Sequence, residues 1–307
     1  MPKQQRFTVH QFNKLFPNDN ACLDALKTLI YPDGIECRTC KEVRAHHRLT
    51  NRKAYSCDYC GTHVYPLAGT IFEKSTTPLK SWFYAMYIMS STRCGISAKQ
   101  LERELGVTYK TAWRIFNQVR KLMAEEAGIL SGEEELDETY IGGVVRTHGM
   151  TRMERGKAAL RNKAVVAGQV QRGGRLQALH LKRGKAGALV PLARAHVLPG
   201  SMIYTDELPA YKALGRVGYG HQRVHHAAKV YVSGSVHVNT LEGFWSLLKN
   251  GIRGVYHSVS AKHLQSYVDE YTFRYNHRRD AAPMYALIST QARKVRHGRY
   301  GLYAPIG

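Results

Sequence analysis

The hydrophobic rhythm of this chain changes several times along its length. Over the first thirty residues Phe7, Phe12, Phe16, Leu23, Leu26, Leu29 and Ile30 recur at the intervals of short helices around "FPND". From Pro78, "LKSWFYAMYIMSS" is apolar through most of its length, and "ISAKQLERELGVTYKTAWRIFNQVRKLMAEE" then reads as helix, turn at Gly106, helix. Ser97 and Thr108 stand where they would cap these two helices, and Leu101, Leu105, Ala112, Ile115, Phe116 and Val119 would face inward. After "AGILSGEEE" the composition turns strand-like in "LDETYIGGVV", "AVVAGQVQ", "RLQALHLK" and "SMIYTDE". Helical spacing returns in "HVNTLEGFWSLLKNGIRG". There Leu241, Phe244, Trp245, Leu248 and Ile252 share one arc, and Asn239, Glu242, Ser246, Lys249 and Arg253 occupy the next. A closing helix in "SAKHLQSYVDEYTFRYNHRR" packs through Leu264, Tyr267, Val268, Tyr271 and Tyr275.

Cysteine spacing adds a metal site to this pattern. Cys37 and Cys40 are two residues apart, sixteen residues follow, and Cys57 and Cys60 repeat the gap. Two such knuckles can close a tetrahedral zinc site, and the stretch between them, "RAHHRLTNRKAYS", suits a β-hairpin. With all four ligands supplied by the protein the zinc is structural, because no position is left open for a substrate. Cys22 and Cys94 read as ordinary thiols.

Charge then narrows the class of partner. A formal net charge of +22 and a pI near 9.8 exceed what solubility requires and point to a polyanion. Arg38, Lys41, Arg44, Arg48, Arg52 and Lys53 decorate the ribbon. Eleven Lys or Arg fall between Arg146 and Lys185 against one acid, Glu154, which favours a phosphate backbone. Tyr109, Lys110, Thr111 and Arg114 would open the second helix of the helix-turn-helix, where base edges are read. No apolar run reaches 18 residues and the start lacks the apolar core of a signal peptide, so a cytoplasmic, nucleoid-associated protein with no membrane partner is expected.

Two strands end in acid pairs, Asp137-Glu138 and Asp206-Glu207. Neighbours on a strand face opposite sides, so one member of each pair can enter a shared site. From Asp206 to Glu242 there are 35 intervening residues, and Lys249 lies seven beyond Glu242, two helical turns along the same face. Two aspartates on strands, this spacing to a glutamate and the following basic residue resemble the DDE signature of RNase H-like transposases and retroviral integrases. Together with "LDETYIGG", "TDELPAY", "HVNTLEGFWSLLKNGIRGVY" and "FRYNHRR" behind a zinc ribbon, they resemble bacterial insertion-sequence transposases of the ISXO type from about residue 10 to about 290.

The resemblance implies an α/β (α+β) fold: an RNase H-like catalytic domain with a mixed sheet, preceded by a zinc ribbon and a helix-turn-helix. The segments expected are 1–76 (N-terminal helices and ribbon), 77–130 (helix-turn-helix) and 131–307 (catalytic domain). It implies two Mg or Mn ions held by Asp137, Asp206 and Glu242, with Lys249 on a DNA phosphate, and one structural Zn. Parts of this branch carry asparagine at the third position, so Asn239, one turn before Glu242, stands as the alternative ligand or as a helix cap. His221, His225, His226 and His237 are expected to contact phosphate or to pack. The implied activity is binding of terminal inverted repeats, strand cleavage and strand transfer on double-stranded DNA, element ends and target alike, by a homodimer or larger synaptic assembly. A DNA-binding regulator with an inert catalytic domain, or a nuclease that cuts without joining, are the competing readings.

Overall fold

A computed structural model of the chain describes residues 5–125, 128–142, 149, 151, 153–154, 163–181, 189–206, 209–223 and 238–292. Glu207, His225, His226, His237 and much of the basic stretch from 146 to 185 lie outside the described residues. The chain divides into two compact units, residues 1–123 with 279–307, and residues 124–278.

The first unit starts with α1 (Val9–Leu15), closed by a reciprocal Thr8–Gln11 capping box, and α2 (Asp19–Ile30), capped by Asn18. The ribbon follows as β1 (Ile35–Glu36) paired with β2 (Val43–Arg44), and a three-stranded antiparallel sheet of β3 (His46–Arg48), β4 (Tyr55–Cys57) and β5 (His63–Val64). The expected hairpin between the knuckles is the β3–β4 pair. Helix α3 (Leu79–Ser91) has no side-chain cap of its own; Asp19 supplies one, accepting from the N–H groups of Leu79 and Lys80 at 2.9 Å each. Helices α4 (Ala98–Leu105) and α5 (Tyr109–Lys121) follow, capped by Ser97 and Thr108. They are joined through Gly106, whose φ of 61° is open to glycine at little cost.

The segment from Arg279 falls in the first unit. Its helix α9 (Met284–Gln291) packs on α3 in the first unit. Phe7 stacks on Tyr285 with centroids 4.8 Å apart, Phe12 and Phe16 meet the same ring, and the Gln5 N–H donates to the Ala281 carbonyl. An aromatic cluster that needs rings from both ends of the chain draws the C-terminus back.

The second unit is a five-stranded mixed sheet in the order β10-β9-β6-β7-β8. Its strands are β6 (Glu133–Ile141), β7 (Ala164–Gln171), β8 (Leu176–Leu181), β9 (Met202–Thr205) and β10 (Gly220–Arg223). The first three form an antiparallel meander, while β9 runs parallel to both β6 and β10. This is the α/β arrangement expected of an RNase H-like domain. Helices α7 (Asn239–Gly251) and α8 (Ala261–Asn276) cover one face, burying Leu241, Phe244, Trp245, Leu248, Leu264 and Val268 against Val166, Val170 and Leu176. Helix α6 (Leu189–His196) and a 3₁₀ stretch (Pro209–Val217) cover the other over Leu136, Ala167, Leu179 and Ile203. Strand β7, buried on both faces from Val165 to Val170, is accordingly apolar there except for Gln169, whose amide donates to Gln177 Oε1 at 2.9 Å.

Candidate active site

The two aspartates meet because of strand register. Parallel pairing aligns Glu133 with Met202, Glu134 with Ile203 and Glu135 with Tyr204. Two residues further along each strand the same register sets Asp137 beside Asp206, just past the last paired residues. In parallel strands side chains in register point to the same face, so the carboxylates converge at the C-terminal end of β9, midway along β6, which does not stop at the Asp137-Glu138 pair as expected but runs on to Ile141. Burial, then the neighbouring Glu138 and Asp206 charges, push Asp137 up from 3.8 to about 7, against the opposing hydrogen bond from Trp245. Glu138 turns to the other face of β6 and accepts a 2.5 Å hydrogen bond from the Tyr211 hydroxyl.

Strand β6 also positions the helix that closes the site. Helix α7 begins after Val238 with no side-chain cap of its own. Glu135, fully buried and on the same face of β6 as Asp137, provides one. Its carboxylate accepts from Thr240 N–H at 2.9 Å, Leu241 N–H at 3.2 Å and the Thr240 hydroxyl at 2.9 Å, with Arg172 Nε 3.4 Å away. A carboxylate at a helix N-terminus satisfies orphan N–H groups and complements the helix dipole. One turn further on, the Trp245 indole Nε1–H donates to Asp137 Oδ2 at 2.9 Å.

Lys249 is close enough for Asp137 to act on its titration. Burial and then the charge of Arg253 lower its pKa, while the charge of Asp137 opposes both. Glu242 and Asn239 lie on the polar side of α7 and are exposed. Among the described residues, the cysteine quartet is the one group of three or more His, Cys, Asp or Glu side chains with ligand atoms within 4.8 Å of one another. The register aligns Asp137 with Asp206 beside the end of β9, and Glu242 is not gathered into a cluster with them. His221, from the histidine-rich stretch, sits on β10 with Nε2 hydrogen-bonded to Thr205 Oγ1 at 2.9 Å, beside the end of β9.

The ribbon metal centre is built by two matching knuckles. Cys37 and Cys57 N–H donate to the carbonyls of Glu42 and Thr62, and Lys41 and Gly61 N–H return to the carbonyls of Cys37 and Cys57. Lys41 and Gly61 both take the left-handed conformation, with φ of 60° and 73°. All four sulfurs lie within 4.8 Å of one another, a span that suits sulfurs about 3.8 Å apart around tetrahedral zinc. The Thr62 hydroxyl and N–H hold the Cys60 thiol down to about 6. This cluster suits a structural zinc ion.

At the start of α5, Tyr109 and Lys110 are exposed, and Tyr109 stacks on Trp113, with Lys99 Nζ 5.7 Å from its ring centroid. Thr111 is tied into the cap, its N–H donating to Thr108 Oγ1. Arg114 has partners within the protein: its guanidinium donates to Ser75 Oγ at 3.0 Å and lies 5.5 Å from the Trp82 ring centroid.

Sequence reasoning missed Trp245 as a hydrogen-bond donor and Glu135 as a cap. The signal for the cap was the two-residue spacing from Glu135 to Asp137, which puts both on one strand face. The signal for Trp245 was masked because a buried tryptophan on an apolar arc reads as packing.

Two segments of the chain match known protein families. A family model described as the ISXO2-like transposase domain matches residues 129–276, and one described as a transposase zinc-ribbon domain matches residues 17–63. The chain is similar to an uncharacterised protein in transposable element ISH50 of Halobacterium salinarum, 26% identical over 276 residues covering 85% of this chain and 92% of that protein. It is also similar to an uncharacterised transposase-like protein of Haemophilus influenzae, 25% identical over 92 residues, 30% of this chain and 73% of that one. Among solved structures, a chain of the simian T-cell lymphotropic virus intasome in complex with PP2A regulatory subunit B56 gamma matches at 16% identity and a TM-score of 0.29. That match covers 56% of this chain and 64% of the other, and at such a score it carries no argument about the fold.

Proposed function

The chain belongs to the ISXO-type insertion-sequence transposases, DDE-class enzymes with an N-terminal zinc ribbon, and from that premise we propose that it binds the terminal inverted repeats of its element, cleaves a strand at each end and joins the ends to target DNA. The observation that supports this reading is the register of β6 and β9, which, carried two residues on, aligns Asp137 with Asp206 beside the end of β9, with Asp137 bonded to Trp245 of α7. Like-charged carboxylates so close, one raised to about 7, suit a hard divalent cation bound through oxygen. Asp137 and Asp206 would hold Mg or Mn, with Glu242 joining from α7 and Asn239 the alternative. Bound there, a pair of such ions supplies charge stabilisation for in-line displacement at phosphorus. Lys249, on the same side of α7, would anchor a phosphate beside the carboxylates.

In the first reaction a water oxygen attacks the scissile phosphorus and the 3′ oxygen of the element end leaves as a hydroxyl. In the second that hydroxyl attacks a target phosphodiester, so each step exchanges one P–O bond for another and no covalent protein intermediate is needed. The exposed Tyr109 and Lys110 at the start of α5, together with the basic ribbon, supply the double-stranded DNA contacts, and two or more copies would hold a pair of ends in a synaptic complex. Among the described residues no helix is long and apolar enough to cross a membrane.

The test is magnesium-dependent nicking of a labelled terminal repeat. Asp137→Ala, Asp206→Ala and Glu242→Ala are each expected to lose cleavage while retaining gel-shift binding, and Lys249→Ala to lose about a hundredfold through misplaced substrate. An active Glu242→Ala beside an inactive Asn239→Ala would transfer the third role to Asn239. Wild-type protein that nicks but never yields joined product would mark a nuclease, and one that binds without nicking a regulator.

A further inference from the structure

We propose that Trp245 is a positioning residue that holds the Asp137 carboxylate by one oxygen so that the other faces the metal, and that Gly168 exists to admit its ring. The inference rests on the reading of Asp137 as a metal ligand. Indole Nε1–H is a donor only, and here it is spent on Asp137 Oδ2 at 2.9 Å. That bond fixes the plane of the carboxylate and leaves Oδ1 without this donor. The indole itself is immobilised: it is 4% exposed and packs against Phe244 at a centroid distance of 5.1 Å.

Space for the ring comes from the neighbouring strand. Gly168 lies directly across from Asp137 in the β6–β7 register. Its φ is not positive, so backbone freedom does not explain a glycine in the middle of a buried strand. Packing does. A Cβ at that position would stand 2.7 Å from two carbons of the Trp245 ring and 3.0 Å from a Leu241 methyl. Asp137, Gly168 and Trp245 therefore form one device spread over two strands and a helix: an empty position opposite the carboxylate, and a ring that fills it while reaching back to donate. Partners that orient a metal ligand in this way are commonly worth about 10- to 100-fold in metal affinity or activity.

The test is direct Mn²⁺ binding to the full-length protein, followed by electron paramagnetic resonance of free Mn²⁺, with the indole N–H resonances as a second readout. Three tryptophans give three indole signals, and the one absent from Trp245→Phe belongs to Trp245. In the wild type that signal is expected to broaden first on adding Mn²⁺. Trp245→Phe, which keeps an aromatic ring and removes the donor, should weaken Mn²⁺ binding about 10- to 100-fold. Gly168→Ala, which displaces the ring without touching Asp137, should move affinity in the same direction. A tryptophan that served only to pack would lower the melting temperature and leave Mn²⁺ affinity unchanged in the folded variant, and that result overturns the proposal. So does a wild-type Trp245 signal indifferent to Mn²⁺ when Asp137→Ala abolishes Mn²⁺ binding; should Trp245→Phe not fold, the Trp245 signal is the one that survives in both Trp82→Phe and Trp113→Phe. If Asp137→Ala binds Mn²⁺ like the wild type, the ligand reading itself fails.

Discussion

Glu134, one residue from the cap and three from Asp137, is 1% exposed, and among the described residues neither of its oxygens has a hydrogen-bond partner. Burial pushes its pKa from 4.5 to about 7. The folded state therefore keeps its proton where the unfolded chain has released it. Stability then falls as pH rises from about 4.5 through about 7 and stays lower above that. Glu134→Gln removes the ionisation. The variant should match wild type near pH 4 and exceed it above pH 7 by about 3 kcal/mol at most, measured by urea unfolding across that range. Equal stability at pH 8 would show that the carboxylate is solvated. In the sequence, "EEEL" reads as three interchangeable acids. Their fates separate only in the fold, where Glu133 is exposed, Glu134 is buried without a hydrogen-bond partner among the described residues, and Glu135 caps α7.

At the scale of elements, α7 is held at its two ends by different devices. At its start Glu135 makes three hydrogen bonds from within the sheet. Glu135→Ala should cost about 3 kcal/mol, since charge-assisted bonds are lost and buried N–H groups are left unpaired. Amide exchange should accelerate at Thr240 and Leu241 before any change in α8. Uniform acceleration across both helices would mean that the cap does not act locally. At its end Gly251 lies against α8, and a Cβ there would overlap the Tyr271 hydroxyl. Gly251→Ala keeps a helical φ of −64° yet should lose about 1–3 kcal/mol through overpacking, and Tyr271→Phe in that background should recover part of the loss. A double variant no more stable than Gly251→Ala would place the strain elsewhere. The buried arc of α7, the caps Ser97 and Thr108 and strands β6 to β9 were legible because each shows a local periodicity or cap residue. Strand β10 was not: "GHQR" at the sheet edge carries no apolar alternation, and its pairing with β9 is a tertiary fact.

On the scale of the whole molecule, the cysteine cluster and the aspartate pair belong to separately built units, and the sequence displayed them unequally. The cysteine spacing announced the ribbon site outright, because both knuckles are local. The carboxylate site depends on a parallel register between strands far apart in sequence, and the return of α9 to the first unit depends on rings at opposite ends of the chain. Neither has a local signature. The division has a testable consequence. The ribbon strands are two or three residues long and bury little beyond Ile35, Ala54, Tyr55 and Val64. With so small a core, zinc binding and ribbon folding are one free energy. Cys57→Ser should lose the single zinc and, with it, amide protection over residues 35–64. Residues 163–181 and 239–276, whose core is the sheet and its helices, should keep their protection and the variant should keep its Mn²⁺ affinity. Elemental analysis with hydrogen exchange on the same sample decides it. A ribbon that stays protected without zinc would show that its apolar contacts suffice, and a fall in Mn²⁺ affinity would show that the two sites depend on each other.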